Sequence, residues 1–158
     1  MHTSRVLVSL AAAAGLSFLS TAQADSELVD RYVAASQKAG EQMLKLVEGC
    51  APGIDTSEVD FEYSDRMTEA VNCLIETHVE RFGREETVRL VEDAEAMSER
   101  GFSSFSEMMD MPDDYPRLTS PEVAEINQEC GTVEASQDMP LSRLMQENMD
   151  QMMACFSE

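Results

Sequence analysis

The chain has 158 residues and carries 31 Asp and Glu against 11 Lys and Arg, a formal charge of −20. That balance argues against binding to nucleic-acid backbones, which attract Lys and Arg, and against attraction to an anionic membrane surface. Apolar residues make up 43% of the chain, enough to build a core, and one domain is expected at this length.

The first residues read as an address. His2 and Arg5 give a weakly basic start, Val6 to Ser20 is an apolar run, and Ala22 and Ala24 stand where a signal peptidase reads small residues. This is the three-part pattern of a secretory signal peptide, with cleavage expected after Ala24. The apolar run is too short for a membrane span, and Asp25 and Glu27 follow it at once. The expected organisation is therefore residues 1–24 as a removed leader and 25–158 as one helical domain without a span. Its location is periplasmic or secreted.

Helices follow in chain order. Leu28, Tyr32, Ala35, Ala39, Met43, Leu46 and Cys50 recur at steps of three and four, which predicts a long amphipathic helix from about Ser26 to Glu48. Gly49 and Pro52 end it, and Ala51 to Asp60 is a loop. A second stripe, Met67, Val71, Leu74, His78 and Phe82, ends at Gly83, and Ser64 is a candidate cap. A third helix runs from about Glu85 to Arg100 and stops at Gly101, with Glu85 and Arg89 spaced for an ion pair. Ser104 and Glu107 have capping-box spacing for a short helix that Pro112 terminates. Met111 to Thr119 is a loop. Ser120-Pro121 starts another helix and Gly131 closes it. The last helix starts near Asp138 to Pro140 and carries Leu141, Leu144, Met145, Met149, Met152 and Phe156. No alternating β-branched run of strand length occurs. The fold class is all-α, a single-domain bundle of five or six helices.

Export makes disulfides the expected state of Cys50, Cys73, Cys130 and Cys155. Met67 to Glu76 aligns without gaps with Met149 to Glu158, and Met, Cys and Glu coincide. Read as an internal repeat, this favours Cys50–Cys73 and Cys130–Cys155, two bridges stapling the bundle. One geometric objection stands. Cys73 lies well inside its helix, so Cys50 reaches it only if the loop folds back.

Little chemistry is available beyond this. After cleavage His78 is the one histidine, and it falls on a buried stripe, where packing is its expected role. There is no Cys-x-x-Cys zinc pattern, no glycine-rich phosphate loop and no calcium loop. Among the many carboxylates no pair stands out, so no catalytic residue is assigned. Methionine is the unusual feature, with 12 in the chain. Met145, Met149 and Met152 share one face of a continuous helix, where core packing is the first reading and a thioether set for Cu(I) the alternative. Met108, Met109 and Met111 form a second cluster, a candidate plastic surface for a partner helix or peptide.

The expectation is a small exported, non-catalytic binding protein of inhibitor, immunity or chaperone type. Its partner is a protein, and the charge favours a basic one. No cofactor is expected. A methionine-based periplasmic Cu(I) binder is the alternative, and a hydrolase using carboxylates is the second. A variant of the binding reading is a chaperone triggered at low pH, where the carboxylates protonate and the net charge reverses.

Overall fold

The computed structural model describes the backbone of residues 16–110 and 114–155, and side chains within these ranges except at 16–24, 109–110 and 153–155. Eight helices and no strand occur among the described residues. They are α1 (Leu16–Cys50), α2 (Asp65–Phe82), α3 (Arg84–Arg100), α4 (Phe105–Asp110), α5 (Pro121–Cys130), α6 (Thr132–Gln137), α7 (Pro140–Glu147) and α8 (Met149–Cys155). The all-α class holds. No helix among the described residues is long and apolar enough to cross a membrane.

The helix ends follow local chemistry. Ser64 accepts a hydrogen bond from the Met67 amide and opens α2, as Ser120 does from Val123 ahead of Pro121 in α5. Gly83, Gly101 and Gly131 carry positive φ, and each amide returns to a carbonyl of the helix it ends. Ser104 accepts from the Glu107 amide at the start of α4, and Glu107 reaches back to the Ser103 amide and hydroxyl. The Glu85–Arg89 pair forms at 2.6 Å.

α1 packs on α2, α3 and α8, while α2 packs on α3, α5 and α6. Two buried clusters lie along α1. Near its start, Leu28 and Val29 meet Val71 and Ile75 of α2 and Val91 of α3. Near its end, Val47 meets Ala51, Ile54, Phe105 and Met152. Burial at this spacing gives α1, α2 and α3 one wet and one dry face, and removal of apolar surface from water drives the packing. At the α1–α3 seam, Arg31 grips Glu95 with two hydrogen bonds, from Nε at 2.8 Å and from Nη2 at 2.7 Å. Hydrogen bonding from Arg31, helped by its charge and opposed by burial, holds the Glu95 carboxyl below its usual range.

The structure corrects the sequence reading in four places. Cys73 is bonded to Cys130, with Cα atoms 5.6 Å apart, so neither expected bridge forms. The reason is helix geometry: Cys73 points from the middle of α2 towards α5, whose last residue is Cys130. Cys50 is also disulfide-bonded, and the side chain of Cys155 lies outside the described residues. Second, the last helix is broken. The Asn148 side chain donates to the Leu144 carbonyl at 2.9 Å, and its backbone leaves the helical region, so α7 stops and α8 restarts. Third, Gly131 leads directly into α6, a helix that the sequence reading does not assign. Finally, α1 is longer than the expected span of about Ser26 to Glu48 and covers Leu16–Cys50; residues 1–15 of the expected leader lie outside the described residues.

Candidate functional site

The methionines part company in the fold. Met152 is 1% exposed, inside the cluster at the end of α1. Met145 packs on that cluster from α7, and Met149 is half exposed. The break at Asn148 therefore dissolves the shared face that a continuous helix gives Met145, Met149 and Met152. Met109 has no described side chain and Met111 lies outside the described residues.

Met108 is placed differently. It lines an apolar cavity of about 360 Å³ together with Met43 of α1, Met97 of α3, Phe102, Tyr115 and Leu118. Ala39 and Gly40 of α1 form part of its wall. Three thioethers thus come from three separate helices. The sequence signal for Met43 and Met97 was weak, since each reads as an ordinary core position of its helix. Ser36, Tyr115 and Thr119 supply the polar atoms of the lining, and no charged side chain joins them. Ser36 is hydrogen-bonded to Tyr63, and Tyr115 to Arg100, so these hydroxyls already have partners. A concave, largely apolar space of this size is the usual form of a small binding site.

Outside this cavity the surface is acidic. Arg31, Arg66, Arg81, Arg89, Arg100 and Arg117 are each tied to carboxylates of the same chain. Among the described residues, Glu122, Glu147, Asp55 and Glu58 belong to no ion pair. Asp55, Glu58, Asp60 and Glu147 line a wider opening beside α7, with Arg143 among them. No group of three His, Cys, Asp or Glu among the described residues has the geometry to hold a metal ion. No protein family, curated protein or solved structure matches the chain.

His78 is 5% exposed, as its place on the α2 stripe predicts. Its ring lies 4.8 Å from that of Phe82, and Nδ1 is 2.8 Å from the Thr87 hydroxyl of α3. Thr87 spends its one proton on the Gly83 carbonyl at 3.0 Å. With that proton on Gly83, the Thr87 oxygen accepts from His78 Nδ1–H, an arrangement that goes with the tautomer whose Nε2 is an acceptor. Burial lowers the His78 pKa, and Glu86 opposes that shift.

Proposed function

We propose that the chain is an exported, non-catalytic binding protein for a basic protein partner, and that the methionine-lined cavity receives an apolar side chain of that partner. The observation that carries this reading is the cavity itself: an uncharged lining of Met43, Met97, Met108, Phe102 and Leu118 within a strongly acidic chain. Thioether side chains are flexible and polarisable, so they adapt to aromatic and branched groups alike. The unpaired carboxylates supply long-range attraction for a cationic partner, which speeds encounter and weakens with salt. Catalysis draws no support from the site, because its lining holds no acid, base or nucleophile beyond hydroxyls already hydrogen-bonded.

The test uses the neutral dye N-phenyl-1-naphthylamine with the purified protein. The dye brightens on entering the cavity, and a lysine-rich peptide containing one Phe displaces it at low salt. The same peptide with Ala in place of Phe does not displace it, and 0.5 M salt weakens the Phe peptide's binding about tenfold or more. Ala39→Phe, which fills the cavity, abolishes dye binding. Dye binding unchanged in Ala39→Phe would remove the cavity from the proposal.

The same lining favours the Cu(I) reading as a second proposal, with Met43, Met97 and Met108 in place of the dispersed Met145, Met149 and Met152. Competition for Cu(I) against a chromogenic chelator, lost when these three become Leu, supports it. An unchanged chelator signal ends it.

A further inference from the structure

A second cavity, also of about 360 Å³, is lined by His78 and Phe82 of α2, Glu86 of α3, Pro116 and Arg117, and Ser120, Glu122 and Val123 at the start of α5. It shares no lining residue with the methionine-lined site. Its chemistry follows from three observations.

The first is the orphan nitrogen. Nδ1 of His78 is hydrogen-bonded to Thr87, and no partner for Nε2 occurs among the described residues. Among the described residues, Gln42 Oε1 is the only fully enclosed side-chain nitrogen or oxygen without one. Nε2 is therefore reachable, and with His78 only 5% exposed, its access is through the cavity it lines. A lone pair that faces an accessible space without a protein donor can take one from a ligand.

The second is the charge of the wall. Arg117 is spent: Nε donates to Glu86 at 2.9 Å and Nη1 to Asp93 at 3.0 Å. Glu86 also receives Arg89 at 3.2 Å. Glu122 has no ion-pair partner among the described residues, so Glu86 and Glu122 against Arg117 leave the lining with a net negative charge. The third is the apolar half. Phe82 is 42% exposed, unusual for a phenylalanine, and Pro116 and Val123 line the same space. A ring face near a negative wall attracts a cation.

We propose that this cavity binds a primary ammonium group on an apolar stem, the ammonium donating to His78 Nε2 and facing Glu122, the stem lying on Phe82, Pro116 and Val123. Two sources share that chemistry, a free alkyl- or arylalkylamine and a lysine side chain of a protein.

The experiment is a titration of the full chain, ¹⁵N-labelled, read at His78 by long-range ¹H–¹⁵N correlation. The chain has two histidines, His2 and His78, and His78→Asn assigns the signal while keeping a donor towards Thr87. At neutral pH, Nε2 shows the shift of an unprotonated ring nitrogen. Hexylammonium moves it saturably, whereas 1-hexanol and hexanoate do not. Glu122→Gln weakens the hexylammonium response about two- to fivefold, and His78→Asn removes the accompanying shift of the Val123 methyls. A blocked peptide containing one lysine then separates the sources. A matching response assigns the site to protein lysines, and a response to the free amine alone assigns it to small amines. The proposal is overturned by a protonated Nε2 in the free protein, by no response to hexylammonium, or by an equal response to hexanoate.

Discussion

Cys73 and Cys130 join the middle of α2 to the last residue of α5 across 57 residues of sequence. The bridge encloses α3, α4 and the segment that leads to α5, so it closes a long loop. Loop closure of that length is worth about 4 kcal/mol in the chain-entropy model. Replacing both cysteines by Ser is expected to lower stability by about 2–4 kcal/mol, measured by urea unfolding against the oxidised parent. Non-reducing peptide mapping should recover a Cys73–Cys130 peptide. It should also recover Cys50 with Cys155, the last residues of two helices that pack together, α1 and α8. A Cys50–Cys73 peptide would contradict the fold described.

Gly40 explains a close approach within the long helix. A Cβ at this position would lie 2.9 Å from both Cδ1 and Cε1 of Phe61. Phe61 has little room to retreat, since its carbonyl accepts from Gln37 Nε2 of α1 at 2.8 Å. Two effects compete in Gly40→Ala. Helix propensity favours Ala by about 1 kcal/mol, and overpacking opposes it by about 1–3 kcal/mol. Net destabilisation is expected in the parent. In a Phe61→Ala background the clash is gone, and the same substitution should stabilise by up to about 1 kcal/mol. A double-mutant cycle by denaturant unfolding reads this reversal of sign directly.

Met152 and Met149 give a sharper contrast. They are three residues apart on α8, yet one is 1% exposed and the other 50%. Met152→Ala is expected to cost about 2–5 kcal/mol, because it opens a cavity among Val47, Ile54 and Phe105. Met149→Ala should change stability by less than about 0.5 kcal/mol. Equal losses in thermal or urea unfolding would restore the continuous stripe read from the sequence.

These positions show what was legible in the sequence. Helix termini depend on residues within a turn of one another, and Ser64, Gly83, Gly101, Ser120 and Gly131 all act where their side chains or φ freedom predict. The His78 burial was legible for the same reason, as one member of a helical stripe. Pairings across the fold were not. Cys73 could be matched to Cys130 only by knowing that α2 lies on α5. The break at Asn148 was hidden because the apolar spacing continues through it, while one side-chain hydrogen bond to Leu144 ends the helix. The cavity lined by Met43, Met97 and Met108 is assembled from helices far apart in sequence, so no local spacing marks it.

His78 carries the pH prediction. Burial lowers its folded pKa below the ordinary 6.5, with Glu86 of α3 acting against the shift. Arg117, paired to Glu86, and Glu122 of α5 are the other charges lining its cavity. The unfolded chain then binds a proton at His78 more readily than the folded one. By linkage, stability rises with pH while the unfolded histidine is protonated and the folded one is not. The contribution is complete above about pH 6.5 and is lost as pH falls through the folded pKa. Carboxylates titrate mainly below about pH 5, so the window from about 6.5 to 5 isolates this residue. The stability difference between the parent and His78→Asn is expected to shrink steadily across that window on acidification. Measuring both by urea unfolding at each pH cancels the shared effect of the acidic surface. A difference that stays constant from pH 7.5 to 5 would mean that His78 titrates alike in both states, and that its ring is not held neutral by the fold.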